Sequence, residues 1–152
     1  MDDTAEQGRV YRMDDVAVPA TMLTFSTLIV AVPSHLTRAM SKAGTLQSNG
    51  AFGIRTRATL SGDRAWAHGH AAAEPWLLAA AICGYTTTVV SALLLVLAAY
   101  AGLSEVPAVV VAVTGFLGTV ALVVAGGVIG NSAARDTEQN SPDTAERNES
   151  GS

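Results

Sequence analysis

Apolar residues along this chain are gathered into three long stretches that contain no charged side chain. The stretches cover residues 16–37, 75–104 and 106–134. An α-helix rises about 1.5 Å per residue, so about 20 apolar residues cross the hydrocarbon core of a bilayer. The apolar runs are continuous, whereas membrane-spanning β-strands alternate apolar and polar positions. The pattern therefore predicts an all-α membrane protein with three transmembrane helices.

The polar residues between these stretches set the expected boundaries. We expect spans at about 16–36, 76–100 and 107–129, with a loop at 37–75 and a tight turn at 102–107. The membrane domain would then cover residues 16–134. The polar arm 1–15 and tail 135–152 are predicted to be disordered. Pro33 is expected to kink or end the first span. A short helix capped by Ser61 is expected to end near Ala73, before Pro75.

The uneven distribution of basic residues predicts an orientation. Only 14% of the residues are charged, and the net charge is −4. Basic residues near the ends of spans mark the cytoplasmic side. Two lie before the first span, and six lie on the opposite side: Arg38, Lys42, Arg55, Arg57, Arg64 and Arg135. We therefore place the loop and the C-terminus in the cytoplasm and the N-terminus outside. The loop arginines should also attract anionic lipid head groups.

The sequence offers little that could perform catalysis. Cys83 is the only cysteine, and it lies in the second span. His68 and His70 are two positions apart on an expected helix, so they point to different faces and make a poor metal pair. The spans contain no Asp, Glu, Lys or Arg side chain, which argues against a transporter that acts alone. We predict no enzymatic activity, no cofactor, no metal site and no nucleic-acid partner.

Glycines in the third span indicate close helix packing. Gly126 and Gly130 have the small-xxx-small spacing that lets two helix backbones approach each other. Packing against the other two spans is the interpretation that we favour. The alternative is a seam with another protein, and the chain would then be a small accessory or scaffold subunit of a larger membrane complex.

The loop carries the most specific pattern in the chain. It consists of an asparagine, an aromatic-Gly-Ile-Arg-Thr core, a hydroxyl-bearing stretch, a tryptophan and a polar residue four positions later. These are Asn49, Phe52, Gly53, Ile54, Arg55, Thr56, Thr59-Leu60-Ser61, Trp66 and His70. In order and spacing they resemble the signature of the SdpI family of bacterial membrane proteins. Arg57 and Ala71 depart from it, since a proline and a basic residue are common there, and the additional spans of longer members are absent.

The resemblance implies a function as well as a fold. The SdpI family consists of bacterial membrane proteins, and its best-known member protects its cell from a secreted toxic peptide and also draws a transcriptional repressor to the membrane. The resemblance thus implies a partner- or lipid-binding role for the motif residues. Arg55 can bind a lipid phosphate or a partner's carboxylate through two hydrogen bonds. The hydroxyls of Thr56, Thr59 and Ser61 can satisfy local backbone groups. The alternative is that these residues only seat the loop against the helices.

Overall fold

The regular secondary structure in the described part of the chain is helical. A computed structural model describes residues 3–45 and 53–139. Within these ranges there are three α-helices and no strand, namely α1 (Asp3–Lys42), α2 (Asp63–Ala101) and α3 (Val106–Gln139). Each contains a segment long and apolar enough to cross a membrane: Ala17–Lys42, Asp63–Ala101 and Val106–Thr137. The prediction of an all-α chain with three such helices is confirmed.

The helices are longer than the charge-free stretches. Helix α1 does not end at Pro33 but continues to Lys42, and α2 passes through Pro75 without interruption. Both prolines are exposed. The short helix expected before Pro75 is therefore the first part of α2. Helices α1 and α3 also include part of the two terminal segments, 1–15 and 135–152, that we predicted to be disordered. The disorder of these segments stays a prediction.

Local hydrogen bonds explain where the helices begin and end. After α1, Gly44 adopts a φ of +66°, and the N–H groups of Gly44 and Thr45 donate to the carbonyls of Ser41 and Met40. This is the Schellman ending that glycine favours. Helix α2 begins at the turn that is closed by a hydrogen bond from the Trp66 N–H to the Gly62 carbonyl. Ser61 precedes this turn, so it is not the N-cap residue of α2.

Contacts divide the chain into two compact units. The first contains Met1–Val32 and Ala80–Val120, and the second contains Pro33–Ala79 and Ala121–Ser152. All three helices contribute to each unit. The second unit also contains the described part of the loop.

The first unit has small and hydroxyl-bearing residues inside and large apolar residues outside. Thr27 and Ser91 are fully buried, whereas Phe25 is 64% exposed and Leu117 is 61% exposed. The hydroxyl oxygens of Thr24 and Ser91 lie 2.8 Å apart, and the Ser91 hydroxyl is 3.2 Å from the Ala108 carbonyl oxygen. These contacts connect the three helices. Such a pattern suits lipid, where association depends on close packing and interhelical hydrogen bonds.

Candidate functional site

The candidate site lies in the second unit, where the loop returns to α2. Its centre is His70, which is 1% exposed. The Ile54 N–H donates a hydrogen bond of 2.8 Å to Nε2 of His70. The other ring nitrogen, Nδ1, lies 2.9 Å from the Trp66 carbonyl oxygen. Because Nε2 accepts a hydrogen bond, the ring is neutral and its proton is on Nδ1, which donates to Trp66.

The tryptophan of the motif packs against this histidine. The ring centroids of Trp66 and His70 are 4.2 Å apart, with an interplanar angle of 40°. Trp66 is 5% exposed, so it is an interior residue of this unit and not a free aromatic surface. The spacing of four residues places the two rings on the same face of α2, one turn apart. The tryptophan thereby holds the imidazole in the orientation that receives the Ile54 N–H.

Gly53 passes closely over both rings. Its φ is +126°, a backbone conformation that other residues rarely adopt. A Cβ atom at this position would lie 2.8 Å from His70 Nε2 and 2.8 Å from Trp66 Cη2. A side chain is therefore excluded by the backbone conformation and by the lack of space. Together, Gly53, Ile54, Trp66 and His70 form a docked loop segment.

A fully buried threonine closes the other side of the loop. Thr59 Oγ1 donates a hydrogen bond of 2.7 Å to the Ile54 carbonyl and accepts one of 2.9 Å from the Thr56 N–H. In return, the Thr56 hydroxyl oxygen accepts a hydrogen bond of 3.2 Å from the Thr59 N–H. Ser61 donates to the Ala58 carbonyl at 2.8 Å. The predicted use of these hydroxyls on local backbone groups is confirmed.

Close approach of α2 and α3 supports the docked loop. A Cβ at Gly130 would lie 2.7 Å from the Gly69 carbonyl oxygen and 3.2 Å from Ile54 Cδ1. A Cβ at Gly69 would lie 2.8 Å from the Gly130 carbonyl oxygen. Gly126 faces α2 in the same way, since its Cβ would lie 3.1 Å from Trp76 Cβ. Both glycines with small-xxx-small spacing therefore pack within the chain.

The arginines of the loop lie on the outer side. Arg55 and Arg57 are exposed, although their neighbours Ile54 and Ala58 are half-buried and buried. Arg57 lines an open concavity of about 470 Å³ with Ala58, Leu60, Ser61 and Arg135. The outward side of the loop is consequently the side that carries positive charge.

The residues predicted from the motif thus separate into groups. Gly53, Ile54, Trp66 and His70 come together, and Thr56 joins them through Thr59, whereas Arg55 is exposed. Asn49 and Phe52 lie outside the described residues. Sequence reasoning missed Gly69 as a residue of this site. Its spacing of four residues to Ala65 and Ala73 was a signal of close packing that we did not use.

In this arrangement the ring nitrogens of the buried histidine are used within the chain. Both nitrogens of His70 are occupied by backbone groups, so the ring is not available to a substrate. Among the residues described, no group of three or more His, Cys, Asp or Glu side chains is placed to hold a metal ion.

Comparisons with protein-family models, curated proteins and solved structures found no match.

Proposed function

We propose that this chain is a non-enzymatic membrane protein of the SdpI type in the bacterial plasma membrane. In this proposal it gives immunity to a secreted toxic peptide, and the cytoplasmic connection between α1 and α2 signals by recruiting a partner such as a transcriptional repressor. The observation that supports it is the closure of the motif into one hydrogen-bonded unit. Gly53, Ile54, Trp66 and His70 are separated by up to 17 positions in the sequence, yet each of them contacts another.

The same closure supports a particular division of roles within the motif. Trp66 and His70 are buried, and Arg55 next to Ile54 is exposed. A buried frame that presents a guanidinium group is suited to recognition of a carboxylate or phosphate on a partner. In this proposal, the buried members hold the loop and Arg55 makes the external contact.

Deletion of the gene and its replacement by variants test the immunity function. Cells that lack the chain should lose survival against at least one peptide in a panel of secreted membrane-active peptides. Arg55→Gln should reproduce this loss at an unchanged membrane level, because it removes the guanidinium group that makes the external contact and keeps the buried residues Trp66 and His70. Arg64→Gln is the matched control, since Arg64 is also exposed and lies outside the motif. Unchanged survival of the deletion strain across the panel would refute the immunity function.

The orientation is tested separately with single cysteines. In a Cys83→Ser background, Thr45→Cys labels the loop side and Leu103→Cys labels the turn between α2 and α3; both positions are exposed. An impermeant maleimide applied to intact cells should label Leu103→Cys and leave Thr45→Cys unmodified until the membrane is opened. The reverse result would overturn the placement of the loop in the cytoplasm.

A further inference from the structure

The concavity between the loop and α3 has the composition of an anion site. Two arginines, Arg57 and Arg135, line it together with Ala58, Leu60 and Ser61. Both arginines are exposed, so a ligand can reach them from outside. A volume of about 470 Å³ lies within the range of small-ligand sites in proteins. Two guanidinium groups at one concavity favour a phosphate, which each can bind through paired N–H donors.

A buried cluster explains why these arginines share one concavity. Ala58, Ala65 and Ala134 form a small apolar core, with exposed fractions of 6%, 4% and 0%. Ala58 directly follows Arg57, and Ala134 directly precedes Arg135. The packing of these small side chains therefore brings the two arginine backbones toward the same place. The two guanidinium groups therefore lie near the same concavity because their backbones are held there by the fold of this unit.

The sequence around Arg135 places the concavity at the depth of the lipid head groups. Residues 106–134 carry no charge, and Arg135 is the first charged residue after them. The site where a transmembrane helix first carries an arginine is normally the interface with water. Leu60 lines the same concavity and is 47% exposed, so an apolar surface adjoins the two cations. Phosphate beside an apolar chain is the chemistry of a phospholipid.

We propose that Arg57 and Arg135 bind the phosphate of an anionic phospholipid, with Leu60 against the start of its acyl region. This site is distinct from Arg55 and requires only that the chain spans a membrane. It does not depend on immunity or on the orientation of the loop. A lipid held there contacts both the loop and α3, which line the concavity together.

Native mass spectrometry of the full chain in a neutral detergent tests the proposal. Phosphatidylglycerol and phosphatidylcholine are titrated in parallel, and retained lipid is counted. We expect a preference for phosphatidylglycerol. Arg57→Gln and Arg135→Gln should each weaken its binding by about tenfold, since each removes a charge-assisted hydrogen-bonding group. Arg64→Gln, an exposed control outside the concavity, should change it by no more than about threefold.

Two further measurements keep the proposal open to refutation. Circular dichroism should show unchanged helicity for all three variants, and Arg57→Lys and Arg135→Lys should recover part of the binding because they keep the charge. An equal loss in Arg64→Gln would show that net charge alone attracts the lipid, and the proposal would be wrong. Displacement of phosphatidylglycerol by millimolar inorganic phosphate would indicate a soluble phosphate ligand and would also overturn it. Neither result would bear on survival against toxic peptides.

Discussion

The contact between Gly130 on α3 and Gly69 on α2 gives the most quantitative prediction. Each glycine faces the carbonyl oxygen of the other, at 2.7 Å and 2.8 Å from the position of an added Cβ. Ordinary van der Waals contact begins near 3.4 Å, so a methyl group at residue 130 requires the helices to separate by about 0.7 Å. The atom in the way belongs to the backbone and cannot rotate aside. Gly130→Ala should therefore disturb the support of the docked loop.

A matched control lies three residues earlier on the same helix. A Cβ at Gly127 would meet no atom within 4 Å, so Gly127→Ala adds only the better helix propensity of alanine. That gain is up to about 1 kcal/mol, and Gly130→Ala shares it. Overpacking a close contact costs about 1–3 kcal/mol. Because the propensity term is common to both variants, their free energies of unfolding should differ by about 1–3 kcal/mol, with Gly130→Ala the less stable.

Reversible unfolding in mixed micelles measures this difference. The purified chain is titrated with increasing mole fractions of a denaturing detergent, and the transition is followed by circular dichroism and tryptophan fluorescence. Trp66 and Trp76 both lie in the second unit, so fluorescence reports on the unit that contains the contact. Equal midpoints for the two variants would show that α2 and α3 do not approach each other through these glycines, and the account of the docked loop would have to be abandoned.

Two other predictions concern single hydrogen bonds. His70→Phe keeps an aromatic ring beside the tryptophan but removes the acceptor for the Ile54 N–H. It should destabilise the docked loop by about 1–3 kcal/mol. Hydrogen exchange of the Ile54 amide should become faster in this variant but not in the exposed control His68→Phe, and equal rates would contradict the bond. In the first unit, a double-mutant cycle of Thr24→Val and Ser91→Ala should give a coupling of about 0.6 kcal/mol and at most about 1.7. Strictly additive losses in the stability of the folded chain would show that these hydroxyls do not interact.

The three candidate membrane-spanning segments could be predicted from the sequence, but the ends of the helices could not. A charged side chain is expensive in hydrocarbon, so the charge-free stretches identify the segments that can lie in a membrane. The backbone hydrogen bonds of a helix can continue through polar and charged residues, so the first charged side chain does not mark the end of a helix. This explains why α1 reaches Lys42 and α2 begins at Asp63. Prolines were a misleading signal, since Pro33 and Pro75 lie on exposed faces of continuing helices.

The candidate site was predictable as a set of residues but not as a geometry. The motif spacing singled out His70 and the core from Gly53 to Thr56. It did not show that the His70 ring accepts the Ile54 N–H, because that bond joins residues 16 positions apart through a loop with a glycine at positive φ. Thr59 was expected to bond to nearby backbone groups, yet its complete burial follows from packing against Gly69. Packing of this kind depends on how closely two helices approach each other, and that distance cannot be predicted from the sequence around one residue.

Burial separates the residues that hold this site from those that can meet a ligand. His70 and Thr59 direct their polar atoms to backbone groups and Trp66 is buried, so replacing them should first change the stability of the loop. Arg55, Arg57 and Arg135 are exposed, and their replacement should first change binding. Loss of a cellular activity in a His70 variant would therefore not by itself identify His70 as a contact. Only an arginine variant with unchanged unfolding and altered binding would locate the surface that a partner or lipid occupies.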